Sequence, residues 1–160
     1  MTKEDRRRLV RLLAEQRWAS LATLDDGGLP AVSFVAYVPE PGYGGFLIHV
    51  SRLAAHTRHL LVRPHAALGV SEPDLGKEDP QLLARVTLQG HVEEIARETP
   101  AYDEGRRRYL AHLPQAAQLF GFGDFVLLRL SPDSVRFVGG FARAYSLSGE
   151  ALRRIAVEIT

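Results

Sequence analysis

The chain is expected to fold as a small, mainly antiparallel β-barrel with peripheral helices, an α+β protein of six or more strands. Three observations predict this. Leu82 to Ile95 alternates strictly, with Ala84, Val86, Leu88, Gly90 and Val92 on one side and Arg85, Thr87, Gln89, His91 and Glu93 on the other. The remaining apolar runs are short and joined by hairpin-length links, so their neighbours should pair antiparallel. Segments of helical spacing with recognisable caps are inserted between them.

Thr2-Lys3-Glu4-Asp5 reads as a capping box, and Leu9, Val10, Leu12 and Leu13 follow at helical spacing, giving a helix that ends near Arg17. Trp18 to Leu24 reads as a strand, Asp25-Asp26-Gly27-Gly28 as a hairpin turn, and Pro30 to Val38 as the return strand. Pro39 to Gly45 holds two prolines and three glycines and is a loop. Phe46 to Val50 is the next strand, followed by a short helix that stops before Arg63-Pro64. Ala66 to Ser71 is a strand, Glu72 to Pro80 an acidic loop, and Leu82 to Ile95 the long strand. Thr99-Pro100 caps a helix that runs through Arg106-Arg107-Arg108 to about His112, and Pro114 to Phe120 forms another, closed by Gly121. Asp124 to Leu130 and Ser134 to Val138 are expected as a final strand pair around Ser131-Pro132-Asp133-Ser134, with Ser148 capping a last helix.

At 160 residues the chain fits one domain, 1–160, long enough to bury a sizeable core. A net charge of +1 creates no global field to recruit nucleic acid or an acidic membrane. The absence of cysteine rules out disulfides, thiolate metal sites and thiol catalysis, and fits a cytoplasmic protein. Met1 to Arg11 is polar and basic, unlike a signal peptide, and no apolar run approaches a membrane span.

The segment Ser51 to Leu61 carries the densest chemistry. A strand that empties into a Ser/His/Thr/Arg-rich helix start offers free backbone N–H groups and fixed positive charge at one point, a place to hold a phosphate. The plainer reading is a simple helix cap. Arg85, Thr87, Gln89 and His91 either face solvent or turn Arg85 toward an electron-rich ligand edge. Gly139-Gly140-Phe141 either forms a glycine bulge or brings backbone and Phe141 over something flat, and Arg143 is either solvated or directed to a phosphate or partner. The triplets Arg6-Arg7-Arg8 and Arg106-Arg107-Arg108 read as solvated helix faces with local ion pairs. His56 and His59 lack a third metal ligand, and no nucleophile elbow, Walker loop or dinucleotide glycine motif occurs.

Taken in order, Trp18-Ala19-Ser20-Leu21-Ala22-Thr23, Gly28 to Ser33, Ser51 to Leu68 and Ala84-Arg85-Val86-Thr87-Leu88-Gln89-Gly90 resemble the pyridoxamine 5′-phosphate oxidase-like, FMN-binding split barrels. The ending Val135 to Ala144 and His56-Thr57-Arg58 are most similar to the heme-utilisation-type branch. The resemblance covers about residues 5–147. It implies a six-stranded antiparallel split barrel, a homodimer, and FMN bound between subunits for electron transfer to a small-molecule substrate or electron carrier. By position it implies Val32, Ser33, Ile48, His49, Val50 and Ser51 beside the flavin ring, His56, Thr57 and Arg58 at its phosphate, Arg85 at its edge, and Phe141 and Arg143 approaching from the late segment. It names no catalytic acid or base. Ala55-His56 stands where the oxidase proper has an Arg-Lys pair, and Val32-Ser33-Phe34-Val35 replaces its Arg- and Lys-bearing strand, so oxidase activity proper is not implied. The alternatives within this resemblance are a heme-binding or heme-degrading protein, a non-enzymatic flavin module, a barrel whose flavin site has decayed, and a deazaflavin (F420) binder. No histidine follows His112, so no histidine ligand to heme iron is expected from residues 113–160.

Overall fold

The sheet is held together by long-range strand pairing that the local sequence announces only in part. The structure, a computed structural model, describes residues 1–159. Its helices are α1 (Lys3–Glu15), α2 (Ala55–Val62), α3 (Pro100–His112) and α4 (Gly149–Ile159). Its strands are β1 (Trp18–Leu24), β2 (Pro30–Ala36), β3 (Val38–Pro39), β4 (Phe46–Ser51), β5 (His65–Ser71), β6 (Arg85–Ile95), β7 (Phe125–Val138) and β8 (Ala144–Ser148). The α+β fold and the antiparallel sheet agree with expectation, with eight strands among the described residues where six were implied.

Strand order is β2-β1-β5-β6-β7-β4-β3, and β8 pairs with the second half of β7. The two ends of that order, β2 and β3, are separated in sequence by Tyr37 alone. The sheet therefore curls back on itself at this residue. What was expected as one strand, Pro30 to Val38, is broken there because Tyr37 turns inward, fully buried, with its hydroxyl donating to the Leu13 carbonyl at 3.1 Å.

The expected hairpin at Ser131-Pro132-Asp133-Ser134 does not form, and β7 runs straight through it. His91 pairs with Ser131, Gly90 with Pro132 and Gln89 with Ser134, which leaves Asp133 as the extra residue of a bulge. The proline's missing N–H falls where the ladder is already interrupted. Gly90 is required opposite it, since a Cβ there would lie 1.9 Å from the Ser131 carbonyl oxygen. Turn-forming residues thus bend a long strand instead of reversing it. Likewise β6 begins at Arg85, because Leu82 is taken up in a 3₁₀ turn capped by Asp79. Pro114–Gly121 is also 3₁₀.

The main core lies inside the curl. It is floored by Leu21, Ile48, Leu68, Leu88, Leu128 and Phe137 and covered by Leu9, Leu12 and Leu13 of α1 and Leu152 of α4. Each such leucine, fully buried, contributes about 2 kcal/mol. A second cluster sits on the other face of β4 and β7, where Tyr102, Tyr109 and Phe120 from α3 and the following 3₁₀ turn cover Leu47 and Leu127. Thr2 caps α1 as expected, accepting from the Asp5 N–H at 3.1 Å. The arginine triplets depart from local pairing in part. Arg8 makes a two-pronged contact with Glu72 at 2.9 and 2.6 Å, and Arg6 reaches Glu158, while Arg107 and Arg108 pair locally with Glu104.

Candidate functional site

The implied site residues fall into groups set by strand alternation. Along β4, Ile48 and Val50 point into the main core, while His49 points into the second cluster. His49 is 6% exposed, stacked face to face with Phe120 at 3.7 Å, and edged by Tyr109 and Phe125. Neither ring nitrogen has a partner among the described residues. Burial, with the Arg97 charge adding to it, pushes its pKa down from 6.5 to about 4.

A second group gathers around the start of α2. The helix packs against β1 and β2. His59 Nδ1 lies 3.0 Å from Thr23 Oγ1. Thr23 pairs with Ala31 and Leu21 with Ser33, so Ser33 shares the face that α2 covers. The helix begins after Ala54 with no side-chain cap, so the simple-cap reading of this segment does not hold. The backbone N–H groups of Ala55, His56 and Thr57 meet no acceptor among the described residues. Thr57 is 0% exposed, yet its Oγ1 is unpartnered, as are His56 Nε2 and Ser33 Oγ. Burial, and then the neighbouring His59, lowers the His56 pKa, which keeps it neutral. Arg58 is exposed and donates to the Leu53 carbonyl at 2.7 Å.

The third group lies at the far end of β6 and β7. Arg85 is exposed and donates to the carbonyls of Gln81 and Leu83. Its register partner Val138 leads into the loop Gly139–Arg143, which reverses the chain into β8 and is a turn, not a bulge. Arg143 is not simply solvated. It donates to the Gly139 carbonyl at 2.7 Å and lies 3.2 Å from buried Asp5, and Arg8 reaches the same carbonyl at 2.6 Å. This clamp holds Phe141 out into solvent, 82% exposed. Val32 is also exposed, at 67%, on the outer sheet face beside Trp18 and Phe34, whose rings stack at 6.2 Å.

Sequence reasoning missed a cleft of about 370 Å³ on that outer face, lined in part by Ala22, Ala67, Gln89 and His65, while Ala66, between His65 and Ala67, turns into the core. His65 escaped because the strand was started one residue late. Its register partner is His91, already on the polar face of the long strand, and His91 Nδ1 lies 3.7 Å from Asp133. The His65 ring has no hydrogen bond or ion pair among the described residues and stands free beside a floor of small apolar side chains. No group of three or more metal-ligating side chains occurs among the described residues. No helix there is long and apolar enough to cross a membrane.

The sequence pattern of the pyridoxamine 5′-phosphate oxidase family matches residues 6–139. Heme oxygenase HutZ of Vibrio cholerae is 30% identical over 148 residues, covering 86% of this chain and 78% of that protein. The chloroplastic heme oxygenase HOZ of Arabidopsis thaliana is 36% identical over 123 residues, covering 77% of this chain and 36% of that one. A solved heme-binding protein from Mycobacterium smegmatis superposes with a TM-score of 0.84 at 31% identity, over 96% of this chain and 61% of that one. The chain thus spans little more than a third of the plant relative and about three fifths of the mycobacterial one.

Proposed function

This chain belongs to the pyridoxamine 5′-phosphate oxidase family, and from that premise we propose that it is a heme-binding split barrel whose substrate is heme, acting as a homodimer in the cytoplasm. The observation that carries this reading is the outer-face cleft, with an unpartnered imidazole, His65, beside a floor of alanines. A macrocycle needs a flat apolar surface and its iron needs a ligand such as histidine, and these residues fit both. Three similar proteins named for heme support it. Bound heme would supply the oxygen chemistry through its own iron, with electrons from an external reductant. The chain's part would be to hold the ring against Ala22 and Ala67 and to present His65. The exposed apolar group Trp18, Val32 and Phe34 on the same face supports a second protomer there.

Titration of the protein with hemin, followed in the Soret region, tests the reading. A saturable band is expected, with affinity reduced about tenfold or more by His65→Ala and unchanged by His112→Ala, whose ring is remote on α3. Ascorbate in air should then bleach the band. Absence of any saturable band would refute heme binding.

A second reading, FMN at the start of α2, is favoured by the unpartnered Thr57 Oγ1, His56 Nε2 and Ser33 Oγ beside three open backbone N–H groups. These donors suit a phosphate. On this reading Thr57→Ala combined with Arg58→Ala weakens FMN binding more than about tenfold in a fluorescence titration, and unchanged affinity would remove it.

A further inference from the structure

The connection between β4 and α2 is held by a residue far away in sequence. Asp124, just before β7, accepts the Ser51 hydroxyl proton on Oδ2 at 2.5 Å, and its backbone carbonyl accepts the Arg52 N–H at 2.7 Å. Ser51 Oγ in turn accepts the Leu53 N–H at 3.1 Å, and the Ser51 carbonyl accepts the Ala54 N–H at 3.1 Å. Every backbone N–H from Arg52 to Ala54 is therefore used within this small network. The next three, on Ala55, His56 and Thr57, are left open beside the buried, unpartnered Thr57 hydroxyl.

We propose that Asp124 is a positioning residue for an anionic phosphate at the start of α2, acting through Ser51; the inference rests on the flavin-phosphate reading. Ser51 owns one hydroxyl proton and commits it to Asp124, so it serves as a strut and not as a donor to the ligand. A short hydrogen bond to a carboxylate is stronger than a neutral one, which suits a loop whose helix has no side-chain cap.

The test compares FMN with riboflavin, which lacks the phosphate, by fluorescence titration of the full chain. General loosening would weaken both ligands, whereas misplacing the phosphate site weakens FMN alone. Asp124→Ala is expected to reduce the preference for FMN over riboflavin by about tenfold, and Asp124→Asn, whose amide oxygen still accepts from Ser51, is expected to keep it. Ser51→Ala removes the same bond from its other end and should reproduce the loss if Asp124→Ala fails to fold. Should Asp124→Ala retain the preference while Thr57→Ala with Arg58→Ala abolishes it, the phosphate site stands and the strut is refuted. No preference for FMN in the unaltered protein would overturn the phosphate reading and this inference together. Equal losses in Asp124→Ala and Asp124→Asn would also overturn the strut.

Discussion

Acidification should destabilise this protein through one imidazole. His49 is held neutral, with its pKa lowered from 6.5 to about 4, first by burial under Phe120 and then by the Arg97 charge. The unfolded chain takes up a proton as the pH falls through 6.5, and the folded chain does so only near 4. Stability from this group is therefore full above 6.5 and is lost progressively down to about 4. At ~1.36 kcal/mol for each tenfold change in proton affinity, the complete loss is about 3 kcal/mol, and about 2.5 kcal/mol of it is spent by pH 4.5. His56 titrates in the same direction, so a variant is needed to isolate His49. His49→Phe keeps a ring against Phe120 and has no proton to bind. Urea unfolding at pH 7 and pH 4.5 should show the wild type losing about 2.5 kcal/mol more than His49→Phe. At pH 7 the variant should be as stable or more so, since both unpartnered ring nitrogens are gone. Parallel losses in the two proteins would refute the assignment.

Other outcomes follow from single contacts. Burial pushes the Asp5 carboxyl up, but hydrogen bonds from Tyr145 and Thr2 and the charge of Arg143 outweigh it and leave it below 3.8. Tyr145→Phe removes the 2.7 Å bond and should cost about 2 kcal/mol at neutral pH, a deficit that shrinks as the pH falls below 3.8 in urea titrations. Gly90→Ala drives a Cβ into the Ser131 carbonyl and should cost about 3 kcal/mol or more by the same measurement; a neutral effect would mean the bulge is not rigid. On the proposed dimer, Trp18→Ser with Phe34→Ser should give a monomer in light scattering and a lower thermal midpoint that no longer rises with protein concentration; an unchanged mass would refute that interface.

Much of this was legible in the chain, and the exceptions share a cause. Thr2 and Thr99 cap their helices because capping is decided within four residues. The alternation of Arg85 to Val92 survives because the strand period does not depend on partners. Ser131-Pro132-Asp133-Ser134 misled because its turn chemistry is local, whereas its fate is set by Gly90, some forty residues earlier in the chain. The start of α2 was visible in the sequence as a candidate anion site, but its geometry was not. Ser51 reads from the sequence as a ligand contact, and its hydroxyl hydrogen bond to Asp124, 73 residues on, was not legible there. Ile48, His49 and Val50 were named as one group, and alternation sends them to opposite faces. Arg8, read as solvated, is instead part of the clamp on Gly139.

The one-residue junction at Tyr37 also bears on how the chain reaches its structure. The hairpins on either side of it, β1 with β2 and β3 with β4, close over short loops and need little search. They cannot join one sheet until β7, beginning at Phe125, arrives to lie between β4 and β6. Nearly the whole chain must therefore be available before the curl is sealed, and the Tyr37 contact is expected to form late. Tyr37→Phe, which frees the Leu13 carbonyl, should hasten unfolding in stopped-flow traces and leave the refolding rate nearly untouched. The residue that joins the two ends of the sheet is thus expected to govern how long the native state lasts more than how soon it forms.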